Sequence, residues 1–249
     1  MAINTEKNSY TIVFAVIMVV VVGTLLAGVS QLLKDRIDAN KRAEKQKNIL
    51  YAMGVNENEE KNDVVFVSEE VLQQEFDKYI VEQYVIQGDE VTTDDEAYLI
   101  DIKKEKNKAK DPNYEQRLPL FKGQKDGKDL YVMPVRGKGL WDAIWGFVAV
   151  DENMVIQGVF YDHKAETPGL GAEIKQRYFM DDFTGESFLK DDEFSGVAVA
   201  KGNNDPKNED KTDGEVDALA GATITGDGLA TMLKKDVKKY VPYFKKLNN

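Results

Sequence analysis

The chain alternates between three kinds of hydrophobic pattern. From residue 8 to residue 33 no charge interrupts a run that contains "IVFAVIMVVVV" (Ile12–Val22) and "GTLLAGVSQLL". About 20 apolar residues cross a bilayer as a helix, so residues 10–33 are expected to be an uncleaved transmembrane helix behind a short tail, 1–9. Signal-peptide cores are usually shorter and end in a small-residue cleavage pattern that is poor here. "KDRIDANKRAEKQKNILYAM" (Lys34–Met53) continues as a charged connecting helix over 34–55, with a sparse apolar face and Gly54 as its stop.

Beyond the polar loop Asn56–Asp63 the pattern turns to strands and turns. "VVFVS" from Val64, "LYVMPV" (Leu130–Val135) after the turn "KDGKD", and "SGVAVAK" (Ser195–Lys201) read as strands. "WGFVAV" (Trp145–Val150) and "VIQGVFY" (Val155–Tyr161) read as a hairpin, and Gly202–Glu215 as a polar loop. A helix is expected over Glu69–Tyr84. Another follows Gly228, where Leu229, Met232, Leu233, Val237, Tyr240, Val241 and Phe244 form a helical stripe interleaved with lysines. The whole is expected to be α+β: a single N-terminal transmembrane helix followed by one mixed, largely antiparallel domain at 56–249.

Composition narrows the chemistry. The 249 residues carry a net charge of −11, no cysteine and one histidine, His163. Cysteine-held clusters, zinc fingers and catalytic thiols are excluded. The acidic balance argues against nucleic acid. His163 reads as a strand-end residue without a catalytic role.

Three glycine-bearing segments remain: "RGKGLW" (Arg136–Trp141), "ETPGLGAEI" (Glu166–Ile174) and "ALAGATITGDG" (Ala218–Gly228). Glycine permits close backbone approach, and three such segments can converge on one ligand. The third precedes a helix that Thr225 or Asp227 would cap. The unpaired amides of a helix start favour an anion such as a phosphate. No lysine follows the glycines, so this is not a Walker loop.

"DALAGATIT" (Asp217–Thr225) resembles the flavinylation motif of FMN-binding domains, and "ETPGLG" (Glu166–Gly171) resembles their second hallmark. The two stand in the family's order. The resemblance extends over nearly the whole chain to the single-span subunits of two membrane complexes. One is the C subunit of the sodium-translocating NADH:quinone oxidoreductase, which "PVRGKGLW" (Pro134–Trp141) also resembles. The other is the G subunit of the RNF ferredoxin:NAD oxidoreductase complex.

The resemblance implies an FMN-binding region at about 130–230, with FMN joined through its phosphate to Thr223 by a flavin transferase that uses FAD. It implies that Gly221 and Ala222 let the backbone pass close to the phosphate, and that Thr225 bonds near it or caps the helix. Asp217 would be read by the transferase or fix the turn. Glu166 and Thr167 would lie by the polar edge of the isoalloxazine, Leu170 against its face, and Leu140 and Trp141 over the ring, with Gly171 also among the cofactor-binding residues. Lys201 would offset charge on the reduced flavin or stand solvated. Ala220 departs from the family, which has Ser or Thr there.

The implied role is electron transfer inside a redox-driven sodium pump. Electrons would arrive from an iron–sulfur centre of neighbouring subunits and leave toward a second covalent FMN, on the B subunit, and ubiquinone. The B, D and E subunits would be neighbours. The family places the domain on the periplasmic face of the bacterial inner membrane. Lys34, Arg36, Lys41, Arg42, Lys45 and Lys47 after the span argue the other way under the positive-inside rule; the family placement is taken. A tethered module binding a ligand reversibly, and a structural stalk, are the readings from other classes.

Overall fold

The computed structural model describes residues 7–59, 63–202, 205 and 208–248. The remainder of the expected tail and loops (1–6, 60–62, 203–204, 206–207) lies outside the described residues. The chain forms two compact units, Met1–Arg42 and Ala43–Asn249. The first holds helix α1, Asn8–Leu32, none of whose residues is buried. At 1.5 Å per residue its 25 residues span about 37 Å, more than the roughly 30 Å hydrocarbon thickness. Helix α2 runs Lys34–Ala52.

The sequence suggests a solvated connector here, and the end of α2 departs from that: Gln46 and Asn48–Ala52 are buried, with Ile49 and Leu50 in the main core. Lys45 Nζ reaches the carbonyl of Ile100 at 3.2 Å. The sparse apolar face is enough because its few large residues fall together in the last two turns.

The second unit continues with α3 (Leu72–Tyr79), β1 (Ile80–Gln87), β2 (Glu90–Thr93), α4 (Ile102–Lys108), β3 (Leu118–Lys125), β4 (Lys128–Lys138), β5 (Ala143–Val150) and β6 (Ile156–His163). These six strands form one antiparallel sheet in the order β2-β1-β3-β4-β5-β6. Then come α5 (Arg177–Asp181), the short hairpin β7 (Leu189–Lys190) and β8 (Glu193–Phe194), the parallel pair β9 (Ala198–Ala200) and β10 (Glu215–Asp217), α6 (Thr223–Val237) and α7 (Val241–Leu247). The α+β architecture, largely antiparallel, is as expected.

Two local expectations are corrected. The helix expected over Glu69–Tyr84 stops at Tyr79, and Ile80–Gln87 is strand β1. The β-branched run Ile80, Val81, Val85 and Ile86 favours the pleated conformation, and β3 and β2 supply ladder partners on both sides. Conversely, Val64–Ser68 belongs to no strand. Its backbone amides are met by side chains of the preceding loop instead: Val65 N donates to Asn58 Oδ1 (2.7 Å) and Ser68 N to Glu57 Oε1 (3.1 Å). The expected β5–β6 hairpin is present, in the register Phe147–Phe160 and Val148–Val159.

Helix α6 lies across β4 and is pinned there by polar groups as well as by its stripe. The buried Asp236 Oδ2 accepts from Lys106 Nζ (2.6 Å) and from the backbone N–H of Arg136 in β4 (2.9 Å). Tyr240 donates its hydroxyl to the carbonyl of Pro119 at 3.0 Å.

A second polar cluster holds the segment that leads into β10. Glu186 is 0% and Asn208 2% exposed. Asn208 Nδ2 donates to Glu186 Oε1 at 3.2 Å and to the Asp182 carbonyl. Glu186 Oε2 and Asn208 Oδ1 are buried without a partner. Burial pushes the Glu186 carboxyl up to about 7, against the opposing pull of Asn208, the Lys211 ammonium 3.8 Å away and the Gly214 amide, with Asp213 adding to the rise.

A carboxyl raised in the folded state stabilises it when protonated. That share is fully present below the ordinary value near 4.5 and is lost as pH rises through about 7. Glu186→Gln keeps an acceptor for Asn208 and adds a donor. Its melting temperature is therefore expected to change less than wild type between pH 5 and pH 8. Equal slopes for the two proteins would contradict this reading of Glu186.

Candidate functional site

The site forms where three connections meet at one end of the sheet. The β4–β5 turn, residues 139–142, closes with Gly139 N donating to the Asp142 carbonyl (2.9 Å). The chain leaving β6 runs beside it, Lys164 N donating to Ala143 O (2.9 Å), and turns through Thr167, whose carbonyl accepts from the amides of Leu170 and Ala172 (both 3.1 Å). The third connection leaves β10, bonds Ala218 N to Ala200 O (2.8 Å), and enters α6 at Thr223.

One side chain joins all three. Glu166, 4% exposed, accepts at Oε1 from the backbone amides of Trp141 (2.9 Å) and Asp142 (3.4 Å). At Oε2 it accepts from the amide of Leu140 (3.3 Å) and the hydroxyl of Thr225 (2.6 Å). Its own N–H donates to His163 Nδ1 at 3.1 Å. Burial pushes the Glu166 carboxyl up, but the bond from Thr225 and those from the backbone amides of Trp141, Asp142 and Leu140 outweigh it, and the group is held below its ordinary value. Among the described ion pairs, none involves Glu166.

Two of the glycines, Gly139 and Gly171, are small because of this node. A Cβ on Gly139 would stand 2.7 Å from Glu166 Oε1. One on Gly171 would stand 2.5 Å from Thr225 Oγ1 and 2.7 Å from Glu166 Oε2. Gly221, at φ +72°, makes the left-handed turn before α6, with Leu170 packed against it.

The surface over the node is apolar and exposed. Trp141, 65% exposed, is the most exposed large hydrophobic side chain outside α1 among the described residues; Leu140, Leu170 and Ile224 are also exposed. Trp141 Nε1 donates to Thr167 Oγ1 at 3.1 Å, which fixes the indole against the neighbouring turn. Trp141 is therefore no core residue.

Thr223 is exposed at the first position of α6, where helix geometry leaves the first amides without an intrahelical acceptor. Ala222 precedes it as the cap residue, with no side-chain cap bond. Thr225, only 2% exposed, is not the cap that the sequence suggests, nor is Asp227. The helix begins five residues before Gly228, and the Thr225 hydroxyl is committed to Glu166.

Asp217 ends β10 opposite Ala200 in β9 and so supports the turn before α6 from its strand side. Lys201 is exposed just beyond β9, and Ala220 is exposed in the turn, so its missing hydroxyl strands no buried partner. Sequence reasoning missed Ile224 and the role of His163. Ile224 was legible as an apolar residue off the helical stripe, but nothing in the sequence pairs His163 with the amide of Glu166.

An exposed hydroxyl at a helix start that Thr225 and Glu166 tie to the turn bearing the exposed Leu140 and Trp141 fits a phosphate-bearing planar cofactor, and comparison with known proteins agrees. A family model for the FMN-binding domain matches residues 139–238, which makes the glycine-bearing unit an FMN-binding domain. The chain is 30% identical over 240 residues to the C subunit of the Na(+)-translocating NADH-quinone reductase of Haemophilus ducreyi, covering 93% of this chain and 90% of the relative. The Pseudomonas aeruginosa protein of the same name is likewise 30% identical, over 92% of this chain and 91% of its own length.

Among solved structures, the C subunit from Parabacteroides distasonis superposes with a TM-score of 0.71 at 29% identity. The overlap covers 85% of this chain and 96% of that one. NqrC from Shewanella oneidensis gives 0.67 at 26%, over 84% and 99%. The chain belongs to the C-subunit family of the Na(+)-translocating NADH-quinone reductase, the first of the two relatives that the resemblance implied.

The node makes a direct prediction. Gly171→Ala must displace either Thr225 or Glu166, and overpacking of this kind costs about 1–3 kcal/mol. Chemical denaturation should show a loss in that range; a loss under about 0.5 kcal/mol would mean that the node yields freely.

Proposed function

We propose that this chain is the electron-transfer subunit of the complex and that it carries FMN as a phosphoester on Thr223. The observation that supports this most is the contrast between its two candidate threonines. The hydroxyl of Thr225 is buried and bonded to Glu166, whereas Thr223 is exposed at the helix start.

On this reading Thr223 Oγ1 gives up its proton to solvent and forms a new bond to phosphorus, while the phosphoanhydride of FAD breaks and AMP leaves. The first-turn amides of α6 hold the phosphate charge. Gly221 and Ala222 let the backbone lie close to it. Leu140, Trp141, Leu170 and Ile224 give the ring an apolar seat, and Thr167 is occupied in orienting Trp141. FMN supplies one-electron transfer chemistry when bound, and no side chain here need act as acid or base. A flavin transferase carries out the loading. The B, D and E subunits are the proposed neighbours, with electrons passing on toward ubiquinone.

We further place the domain on the outer face of the bacterial inner membrane, on the strength of the family resemblance and against the lysines and arginines that follow α1. The absence of cysteine from the chain permits a clean test. A single cysteine introduced at Asn248 should react with a membrane-impermeant maleimide in intact cells; protection until the cells are lysed would reverse the orientation.

Attachment is tested by co-expressing the full chain with a flavin transferase, denaturing it and reading flavin fluorescence in the gel. Wild type and Thr225→Ser should be bright and Thr223→Ala dark. A dark wild type beside an active transferase control would leave a site for reversible binding only. A bright Thr223→Ala would move the attachment elsewhere.

A further inference from the structure

The Glu166 carboxylate faces four donors: three backbone amides on one turn and a hydroxyl on a helix. Each oxygen takes two of them. A glutamine in its place would turn an NH2 group toward one of these pairs. Only an ionised carboxylate accepts at both oxygens. All four donors are neutral, and among the described residues no lysine or arginine forms an ion pair with the group. The nearest cation pair in the turn is Lys164 with Asp142, 2.7 Å, which serves a different carboxylate. The negative charge of Glu166 is therefore desolvated, hydrogen-bonded and not neutralised by a partner.

We infer that Glu166 is the positioning residue of the proposed FMN site: its carboxylate ties the three loops into one cradle, and its fixed negative charge lowers the midpoint potential of the flavin held there. The inference rests on the reading that FMN is carried on Thr223.

The positional half follows from connectivity. Oε2 bonds Thr225, two residues beyond the attachment hydroxyl, and both oxygens bond the turn that presents Leu140 and Trp141. Loss of the carboxylate frees the turn and the helix start from one another. The electrostatic half follows from charge. An electron accepted by the flavin adds negative charge to the site unless a proton follows it, and a nearby carboxylate in a partly desolvated setting opposes that addition.

Length and charge are separated by two variants of the full chain, loaded by co-expression with the transferase and purified in detergent. Flavin yield is read by in-gel fluorescence and the midpoint by titration with dithionite. Glu166→Asp keeps the charge and both acceptor oxygens but is too short to reach all four donors; it should lower the yield and leave the midpoint of the loaded fraction unchanged. Glu166→Gln should lower the yield and shift the midpoint of the loaded fraction upward.

If Glu166→Gln does not fold, Thr225→Val and Glu166→Asp decide. Reduced yield in both, with Thr225→Ser as bright as wild type, supports the positioning role; wild-type yield in both overturns it. Glu166→Gln with wild-type yield and midpoint overturns the whole inference. A wild type that takes no flavin overturns the functional reading and this inference together, whereas a bright wild type beside an unaffected Glu166→Gln removes this inference alone.

Discussion

Everything at the flavin-binding end of this domain is organised around a buried carboxylate. Taking an ionised carboxyl out of water is costly unless its oxygens are met by donors, and Glu166 meets four. Three are backbone amides of a tight turn, groups that would otherwise need water or an acceptor of their own. The fourth is the Thr225 hydroxyl. The arrangement satisfies acceptor and donors at once, and the same bonds bring the β4–β5 turn, the chain after β6 and the start of α6 to one point. His163 completes it from behind by accepting the N–H of Glu166. Glycines at 139 and 171 are the steric condition, since a methyl group at either would occupy the space of the carboxylate or its partner.

The scaffold beneath explains why the node can be exact in position without a ligand. One of the three connections joins β4 to β5 and another leaves β6, the neighbour of β5 in the six-stranded antiparallel sheet, and the third enters a helix fixed to that sheet. Asp236 bonds the backbone of Arg136 in β4 and the ammonium of Lys106, so α6 is held at its far end as well as at Thr225. Between these two ties lies the apolar stripe, Leu229, Met232, Leu233 and Val237. The exposed Thr223 hydroxyl thus sits at the start of a helix that is tied down at both ends. An FMN-binding domain requires a preformed surface for its cofactor, and loops and a helix start anchored in this way supply one.

The sequence was most informative where a pattern is local. The uncharged run of α1, the β5–β6 hairpin and the stripe of α6 are periodicities that a single segment displays. The glycine clusters stood out by composition, and their shared site followed from the family resemblance. What sequence could not show was pairing between distant residues. Ile80–Tyr84 reads as the end of a helix until β3 and β2 offer it ladders, and Val64–Ser68 reads as strand until Asn58 and Glu57 take its amides. The sharpest case is Glu166. Its place in the glycine-bearing motif pointed to the flavin, while the structure turns its carboxylate inward to the protein. Thr225 moved with it, from an expected helix cap to an internal partner. Both shifts stem from one hydrogen bond across 59 residues.

The central claim is that the site is assembled by the protein before any flavin is present. Hydrogen exchange of the Leu140, Trp141 and Asp142 backbone amides, followed by NMR in the flavin-free full chain, addresses it most directly. The account predicts slow exchange of these amides although the turn lies at the surface. Exchange at the rate of an open loop, slowing only after FMN is attached, would show that the cofactor and not Glu166 builds the site.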